Sequence, residues 1–127
     1  MTADDAPTDL VGTAGSNQLR LALEQQDDAA VLVASGEIDM VTAPRFQQEL
    51  LAAVHERPSA LIVDLTDVEF FASAGLSALV AAYQQAGTDT VVRVVAPTSA
   101  TARPLQITAL DRKIPVHESR IDALQRK

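Results

Sequence analysis

One serine lies between an apolar run and a helical pattern, and its hydroxyl is the group in this sequence best placed for chemistry. Ser73 stands in the segment Ala72-Ser73-Ala74-Gly75, and apolar residues follow it at helical spacing. At a helix start its side chain can cap backbone N–H groups, and a phosphate placed on it would meet the positive end of the helix. The small neighbours would let a partner approach closely. Ser73 is therefore interpreted either as a simple helix cap or as a site of phosphorylation.

A serine on a strand-to-helix turn also resembles the nucleophile of a hydrolase. Asp111 and His117 follow Ser73 in the order serine, aspartate, histidine. However, Phe71 stands where the first glycine of the hydrolase turn belongs, and His117 falls in a predicted strand. No nucleophile, base and oxyanion arrangement is complete, so we expect no catalytic activity.

The other titratable residues favour structural roles. Asp64 follows a buried apolar run and could accept a phosphoryl group, but Asp27 and Asp28 fall in a turn rather than in a Mg²⁺ site beside it. A hydrogen bond from Asp64 to neighbouring backbone is the simpler interpretation. His55 and His117 lack companions at ligand spacing, so we expect neither a metal nor a cofactor.

Composition excludes several classes of partner. The 127 residues are 47% hydrophobic and suffice for one domain with a real core. A net charge of −7 and 3% aromatic residues disfavour nucleic acid and anionic membranes. The absence of cysteine excludes disulfides and thiolate chemistry.

Residues 1–17 are small, polar and acidic, unlike a signal peptide. We therefore expect a disordered tail at residues 1–17, a folded domain at 18–127 and a cytoplasmic protein.

The hydrophobic pattern predicts the order ββαβαβαβα, an α/β fold. An opening hairpin followed by strand–helix units indicates a mixed sheet, antiparallel at first and then parallel, with about four helices packed against it. The link before Ser73 is predicted at residues 67–72, and Pro104 predicts a short or kinked third helix. The predicted strands are at residues 19–24, 29–34, 60–65, 90–95 and 114–117; the predicted helices are capped by Thr42, Ser73, Thr98 or Ser99, and Ser119.

Several motifs in this order together resemble a STAS domain. They are Gly36-Glu37-Ile38-Asp39 with Thr42-Ala43, Val63-Asp64-Leu65 with Val68 and Phe70, Ser73-Ala74-Gly75-Leu76, and a late Leu105, Thr108, Leu110 and Asp111. The resemblance extends over about residues 19–126. Stand-alone members of this family are anti-sigma-factor antagonists.

The resemblance implies a switch protein that is not an enzyme. Unphosphorylated, such a protein binds an anti-sigma factor that is also a serine kinase and so frees the sigma factor; phosphorylation ends the binding, and a serine phosphatase resets it. The partner kinase, not this chain, would bind ATP and Mg²⁺. Ser73 takes the phosphoacceptor position, and the resemblance implies partner contacts at Glu37, Asp39, Thr42, Ala72, Ala74, Gly75 and Ser77.

Two positions depart from the family pattern. Ala72 stands where an aspartate commonly precedes the acceptor serine, which keeps open the alternative of a STAS scaffold that is never phosphorylated. Ala109 replaces the glycine of a Thr-Gly-Leu motif near the end of the third helix. Because glycine suits a left-handed helix end, we expect that end to be arranged differently here.

Overall fold

A computed structural model describes residues 18–125; the predicted tail at residues 1–17 and the last two residues lie outside this range. The predicted order ββαβαβαβα is confirmed, with one additional short 3₁₀ helix at Leu110–Arg112. The strands are β1 (Leu19–Gln26), β2 (Ala29–Ile38), β3 (Ala60–Phe71), β4 (Val91–Val95) and β5 (Val116–His117), and the helices are α1 (Ala43–His55), α2 (Ser73–Ala86), α3 (Ser99–Ile107) and α4 (Arg120–Gln125).

The five strands form one sheet in the order β1-β2-β3-β4-β5. β1 is antiparallel to β2, and each later neighbour is parallel. The predicted mixed sheet is therefore confirmed. Parallel pairing of β2 with β3 brings their carboxyl ends to the same edge, where the loops before α1 and α2 begin.

The sheet carries a core on each face. The larger core joins β1–β4 to α1, α2 and α3 through fully buried side chains such as Phe46, Leu79 and Leu105. The smaller core includes Val31 and Ile62 and is covered by Ala123 of α4. Burial on both faces explains why β2 and β3 have continuous apolar runs rather than alternating ones.

β3 is longer than the sequence predicted. Residues 67–71, predicted as part of a link, continue the strand to Phe71. They stay paired because the β2–β3 register shifts between Val33 and Ser35 and again between Gly36 and Glu37. Such irregularities re-aim side chains and leave no periodic signal in the apolar pattern.

The end of α3 differs from expectation in one respect. The helix is short and contains Pro104, in agreement with the prediction of a short or kinked helix. Ala109, which follows it, has φ 61° and ψ 18°, so the left-handed conformation forms without glycine. The expectation of a differently arranged helix end is wrong. The Thr108 hydroxyl donates to the Pro104 carbonyl at 2.7 Å and helps to close this end.

Candidate functional site

The candidate site forms where β2 and β3 end side by side. Ile38 pairs with Phe71 in the ladder, and the Ala72 amide donates a 2.8 Å hydrogen bond to the Ile38 carbonyl. Asp39 follows Ile38 directly, and Ser73 follows Ala72. The structure thus brings together the loop and the serine that the sequence assigned to one surface.

Ser73 is the first residue of α2 and is exposed. Ala72 occupies the N-cap position in an extended conformation, and its carbonyl accepts hydrogen bonds from Gly75 N at 2.9 Å and Leu76 N at 3.3 Å. Within residues 18–125 the Ser73 hydroxyl makes no hydrogen bond, so its prediction as a side-chain cap is wrong. Because the cap position falls one residue earlier, the hydroxyl faces solvent beside the open N-terminus of α2.

Gly75 serves the packing beneath this surface. A Cβ built on it would lie 2.6 Å from Phe71 Cε1 and 2.8 Å from Ile38 Cγ2. Gly75 is buried, and its lack of a side chain lets α2 approach the ends of β2 and β3. The close approach of a partner to Ser73 stays a prediction, and the structure adds a packing reason for glycine at this position.

The neighbouring loop, residues 39–42, is closed by its own hydrogen bonds. Asp39 Oδ1 accepts from the amides of Val41 and Thr42, each at 2.9 Å. The Thr42 hydroxyl accepts from the Asp39 amide at 2.9 Å and lies 2.9 Å from the Glu37 carbonyl, to which it can donate. The hydrogen bond from the Thr42 amide is the largest cause that lowers the pKa of the Asp39 carboxyl, and the Val41 amide and the Thr42 side chain lower it further against the opposing effect of burial. Asp39 is therefore an anion held within the loop that neighbours the turn carrying Ser73.

Thr42 acts inside this loop. Its side chain makes no capping bond to α1, and only 5% of the residue is exposed. Thr42 is the N-cap residue of α1, as predicted. Its side chain makes no capping bond, because the hydroxyl is engaged by Asp39 and Glu37 instead. Thr42 and Gly75 were both assigned to partner contact by the resemblance. In the structure both are buried, and they support the surface through hydrogen bonds of Thr42 within the loop and through the close packing at Gly75.

An apolar groove adjoins the loop. It has a volume of about 670 Å³ and lies between α1 and α2. Met40 and Val41 project beside it with 81% and 69% of their surface exposed. Sequence reasoning missed both; two consecutive apolar residues between Asp39 and the start of a helix were the available signal. The groove is lined by Met40, Ala43, Pro44, Gln47, Gln48, Leu51, Ala74 and Ser77.

Asp64 is held away from this surface in a polar cluster. Its Oδ1 accepts from the Thr66 amide at 3.0 Å, which confirms the interpretation as a strand residue bonded to nearby backbone. Its Oδ2 accepts from Arg120 Nη2 at 2.9 Å, and Arg120 also reaches Glu24 at 3.0 Å. Burial raises the pKa of Asp64, but the bonds from Thr66 and Arg120 together hold it below its ordinary value. The Arg120 ion pair was not foreseen.

The residues of the hydrolase alternative do not form a triad. His117 Nδ1 lies 3.3 Å from Asp122 Oδ2 of α4, on the side of the sheet that carries the smaller core. Asp111 lines a different depression with Gln106 and Glu118. In the described part of the chain, no three histidine, aspartate or glutamate side chains are grouped to hold a metal ion. None of the helices among residues 18–125 is long and apolar enough to cross a membrane.

Comparisons with known proteins agree with this geometry. The family model for the STAS domain matches residues 20–123. The anti-sigma-F factor antagonist RsfB of Mycobacterium tuberculosis is 33% identical over 108 residues, which cover 85% of this chain and 88% of RsfB. The crystal structure of an anti-sigma factor antagonist from Mycobacterium paratuberculosis is 43% identical with a TM-score of 0.81, covering 84% of this chain and 91% of that one. A putative anti-sigma factor antagonist from Thermotoga maritima shares the fold at 20% identity, with a TM-score of 0.76 over 83% of this chain and 92% of its own.

Proposed function

This chain belongs to the STAS domain family, and we propose that it is an anti-sigma-factor antagonist controlled by phosphorylation of Ser73. Unphosphorylated, it binds an anti-sigma factor that is also a serine kinase and so releases the sigma factor. Phosphorylation ends that binding, and a serine phosphatase restores it. The names of its relatives from two Mycobacterium species support the proposal that it is an anti-sigma-factor antagonist.

One observation carries the phosphorylation step. The exposed Ser73 hydroxyl, without an internal hydrogen bond in the described residues, stands beside the 39–42 loop and the groove between α1 and α2. A kinase that binds this surface would find the hydroxyl within it. Met40 and Val41 supply exposed apolar area of the kind that anchors an interface.

Electrostatics give the switch its direction. A phosphate adds about −1.5 to −2 charges to a surface on which Asp39 is already ionised. The N-terminus of α2 offsets part of this charge, typically by about 0.3–1 kcal/mol, so the fold survives. A partner surface matched to a neutral hydroxyl would meet repulsion and desolvation, which reach several kcal/mol at interfaces.

The proposed partners supply the chemistry that this chain lacks. The anti-sigma kinase binds ATP and Mg²⁺ and transfers the phosphoryl group, and the phosphatase hydrolyses it. The chain is then substrate and ligand, not an enzyme. Because it must meet a sigma factor's inhibitor, the proposal puts the protein in the cytoplasm.

Mass spectrometry after incubation with the partner kinase and Mg-ATP tests the proposal. Wild-type protein should gain one phosphate, located at residue 73, and Ser73→Ala should gain none while still binding the kinase. Ser99→Ala is a matched control, because Ser99 is likewise the exposed first residue of a helix. Phosphate at Ser99, Thr66 or Ser77 in wild-type protein would refute the assignment.

A second candidate rests on Ala72. The family commonly has an aspartate there, and its loss removes an acidic group that a kinase could recognise. The chain would then be a scaffold that binds its partners through the same surface without being phosphorylated. Ala72→Asp discriminates the two: it should create phosphorylation in a scaffold, and only accelerate it in a switch.

A further inference from the structure

The outer edge of β1 is open. β1 is the first strand in the sheet order, and within residues 18–125 no strand pairs with its far side. Natural sheets usually blunt such edges with charged side chains, proline, a bulge, a short strand, or a covering helix or loop. β1 has eight residues, LRLALEQQ, without proline, and its register with β2 is unbroken. Its two charged residues, Arg20 and Glu24, have opposite signs, so they can attract rather than repel a second copy of the strand. This edge is therefore built like a strand that can accept another.

The charges on β1 specify what it can accept. Arg20, Ala22 and Glu24 alternate with Leu21 and Leu23, so the two charged side chains lie on one face with alanine between them. If two copies of β1 pair antiparallel about Ala22, Arg20 of each copy stands opposite Glu24 of the other. Such a pairing is symmetric and forms two ion pairs.

Other symmetric registers lose this match. Residues directly opposite each other on two antiparallel strands have side chains on the same face of the sheet. In a symmetric pair, one residue must therefore stand opposite its own copy, with the two-fold axis midway between the two copies. Centred on Leu21, the pairing sets Arg20 opposite Ala22, and centred on Leu23 it sets Glu24 opposite Ala22. Centred on Arg20 the pairing sets Arg20 opposite Arg20, and centred on Glu24 it sets Glu24 opposite Glu24. One register is thus favoured by charge, and it also sets Leu21 against the half-exposed Leu23.

Neighbouring groups limit the pairing to a short segment. Arg45 Nη1 donates to the Leu19 carbonyl at 2.8 Å, which occupies the first residue of the strand. Arg120 holds Oε1 of Glu24 at 3.0 Å, and the second oxygen of that carboxylate has no bond in the described residues. Arg120 is itself neutralised by Asp64. The five residues 20–24 remain available.

We propose that this chain self-associates through antiparallel pairing of residues 20–24 of β1 between two copies, with Arg20 of each copy opposite Glu24 of the other. A five-residue strand pair is small beside a standard interface, so the dimer is weak and forms at high protein concentration. The proposed pairing uses the outer edge of β1, whereas Ser73 follows β3, and β2 lies between these two strands.

Cross-linking tests the register directly, because the protein has no cysteine of its own. In the proposed dimer the two Ala22 Cα atoms are about 4.5–5.5 Å apart, within reach of a disulfide. A22C in the full chain should therefore cross-link under mild oxidation at high concentration. Q26C is the matched control on the same strand and face: its two sites would be separated by eight residue steps, about 27 Å. Equal cross-linking of A22C and Q26C would overturn the proposal.

Charge variants in the A22C background test the partner. R20E sets two acidic residues against each other, and E24R sets two basic ones, so each alone should lower cross-linking roughly tenfold. An equimolar mixture of the two should recover it as a heterodimer distinguishable by mass. R20K should behave as A22C alone. If E24R does not fold because Arg120 loses Glu24, the contrast between R20E and R20K still decides. Unchanged cross-linking of R20E, or a mixture of folded variants that recovers none, would overturn the proposal.

Discussion

The amide of Ala72 donates to the carbonyl of Ile38 at 2.8 Å, and this bond fixes the serine-bearing turn to the end of the neighbouring strand. The same Ile38 side chain packs against Gly75 in the first turn of α2. Because Asp39 directly follows Ile38, the position of the anionic loop relative to Ser73 is set by backbone and packing. Backbone bonding and packing therefore hold the base of the candidate surface in place, while Ser73 remains exposed to solvent.

Substitution of Gly75 tests that packing. Gly75→Ala would press a methyl group against the Phe71 ring and Ile38, with its carbon only 2.6 and 2.8 Å from their nearest atoms. Overpacking costs about 1–3 kcal/mol, and the better helix propensity of alanine recovers up to about 1 kcal/mol. We expect a net loss of about 1–2 kcal/mol in the free energy of unfolding by urea titration. Ser77→Ala, on the exposed side of α2, should change it by less than about 0.5 kcal/mol. A Gly75→Ala variant as stable as wild type would contradict this account.

The Asp64–Arg120 pair predicts a pH dependence. The folded-state pKa of Asp64 is lowered, so Asp64 contributes stability that is fully present above its unfolded pKa of about 3.9 and is lost as pH falls through the lower folded value. The difference in unfolding free energy between wild type and Asp64→Asn should therefore shrink as pH is lowered from about 5 towards 2. Denaturant titrations over this range measure it. A constant difference would mean that Asp64 is not stabilised as an anion.

Substitution of Arg120 tests the same ion pair by removing the partner of Asp64. Arg120→Ala removes the bonds to Asp64 and Glu24 and should cost about 2 kcal/mol at pH 7, with a smaller cost at low pH. Arg112→Ala is the control, because Arg112 is exposed and has no ion pair among the described residues. It should change stability by less than about 0.5 kcal/mol.

Ala109 offers a stabilising substitution. Its left-handed conformation, φ 61°, costs a residue with a Cβ roughly 1–2 kcal/mol, whereas glycine adopts it freely. After the added entropy of an unfolded glycine is subtracted, Ala109→Gly should raise the free energy of unfolding by about 0.5–1 kcal/mol. The same exchange at the exposed Ala52 inside α1 should lower it by about 1 kcal/mol. If Ala109→Gly and Ala52→Gly changed the free energy of unfolding in the same direction, the end of α3 would not be strained at Ala109.

Local patterns predicted the elements but not the exact positions of their ends. The apolar run at 60–65 identified β3, yet its extension to Phe71 depends on two register shifts against β2. Those shifts depend on a partner strand more than 20 residues earlier in the chain, so the segment's own pattern does not contain them.

The residues of the candidate site were identified from the sequence, but the hydrogen bonds that arrange them were missed. The resemblance to the STAS family implied that Ser73 and Asp39 share one surface, and the parallel pairing of β2 with β3 explains why their loops are neighbours. The cap at Ala72 and the inward turn of Thr42 were missed, since both follow from competing hydrogen bonds that residue type alone does not rank. The Arg120 partner of Asp64 lies 56 residues away, beyond any local motif.

Phosphate mimics at Ser73 test how the proposed switch works. Ser73→Asp and Ser73→Glu place a charge where the α2 N-terminus is open, so circular dichroism and thermal stability should stay native. The complex with the anti-sigma kinase should weaken, because Asp39 remains ionised beside the new charge. The mimics carry about one charge against nearly two for phosphate, so calorimetric titration should give an order of affinity in which wild type exceeds the mimics and the mimics exceed the phosphoprotein. Higher salt should recover part of the lost affinity if repulsion dominates, and little if the bulk of the group dominates. Ser99→Asp, at the equivalent position of α3, should leave binding unchanged. Phosphorylated protein that bound the kinase as tightly as unmodified protein would rule out the switch and favour the unregulated scaffold.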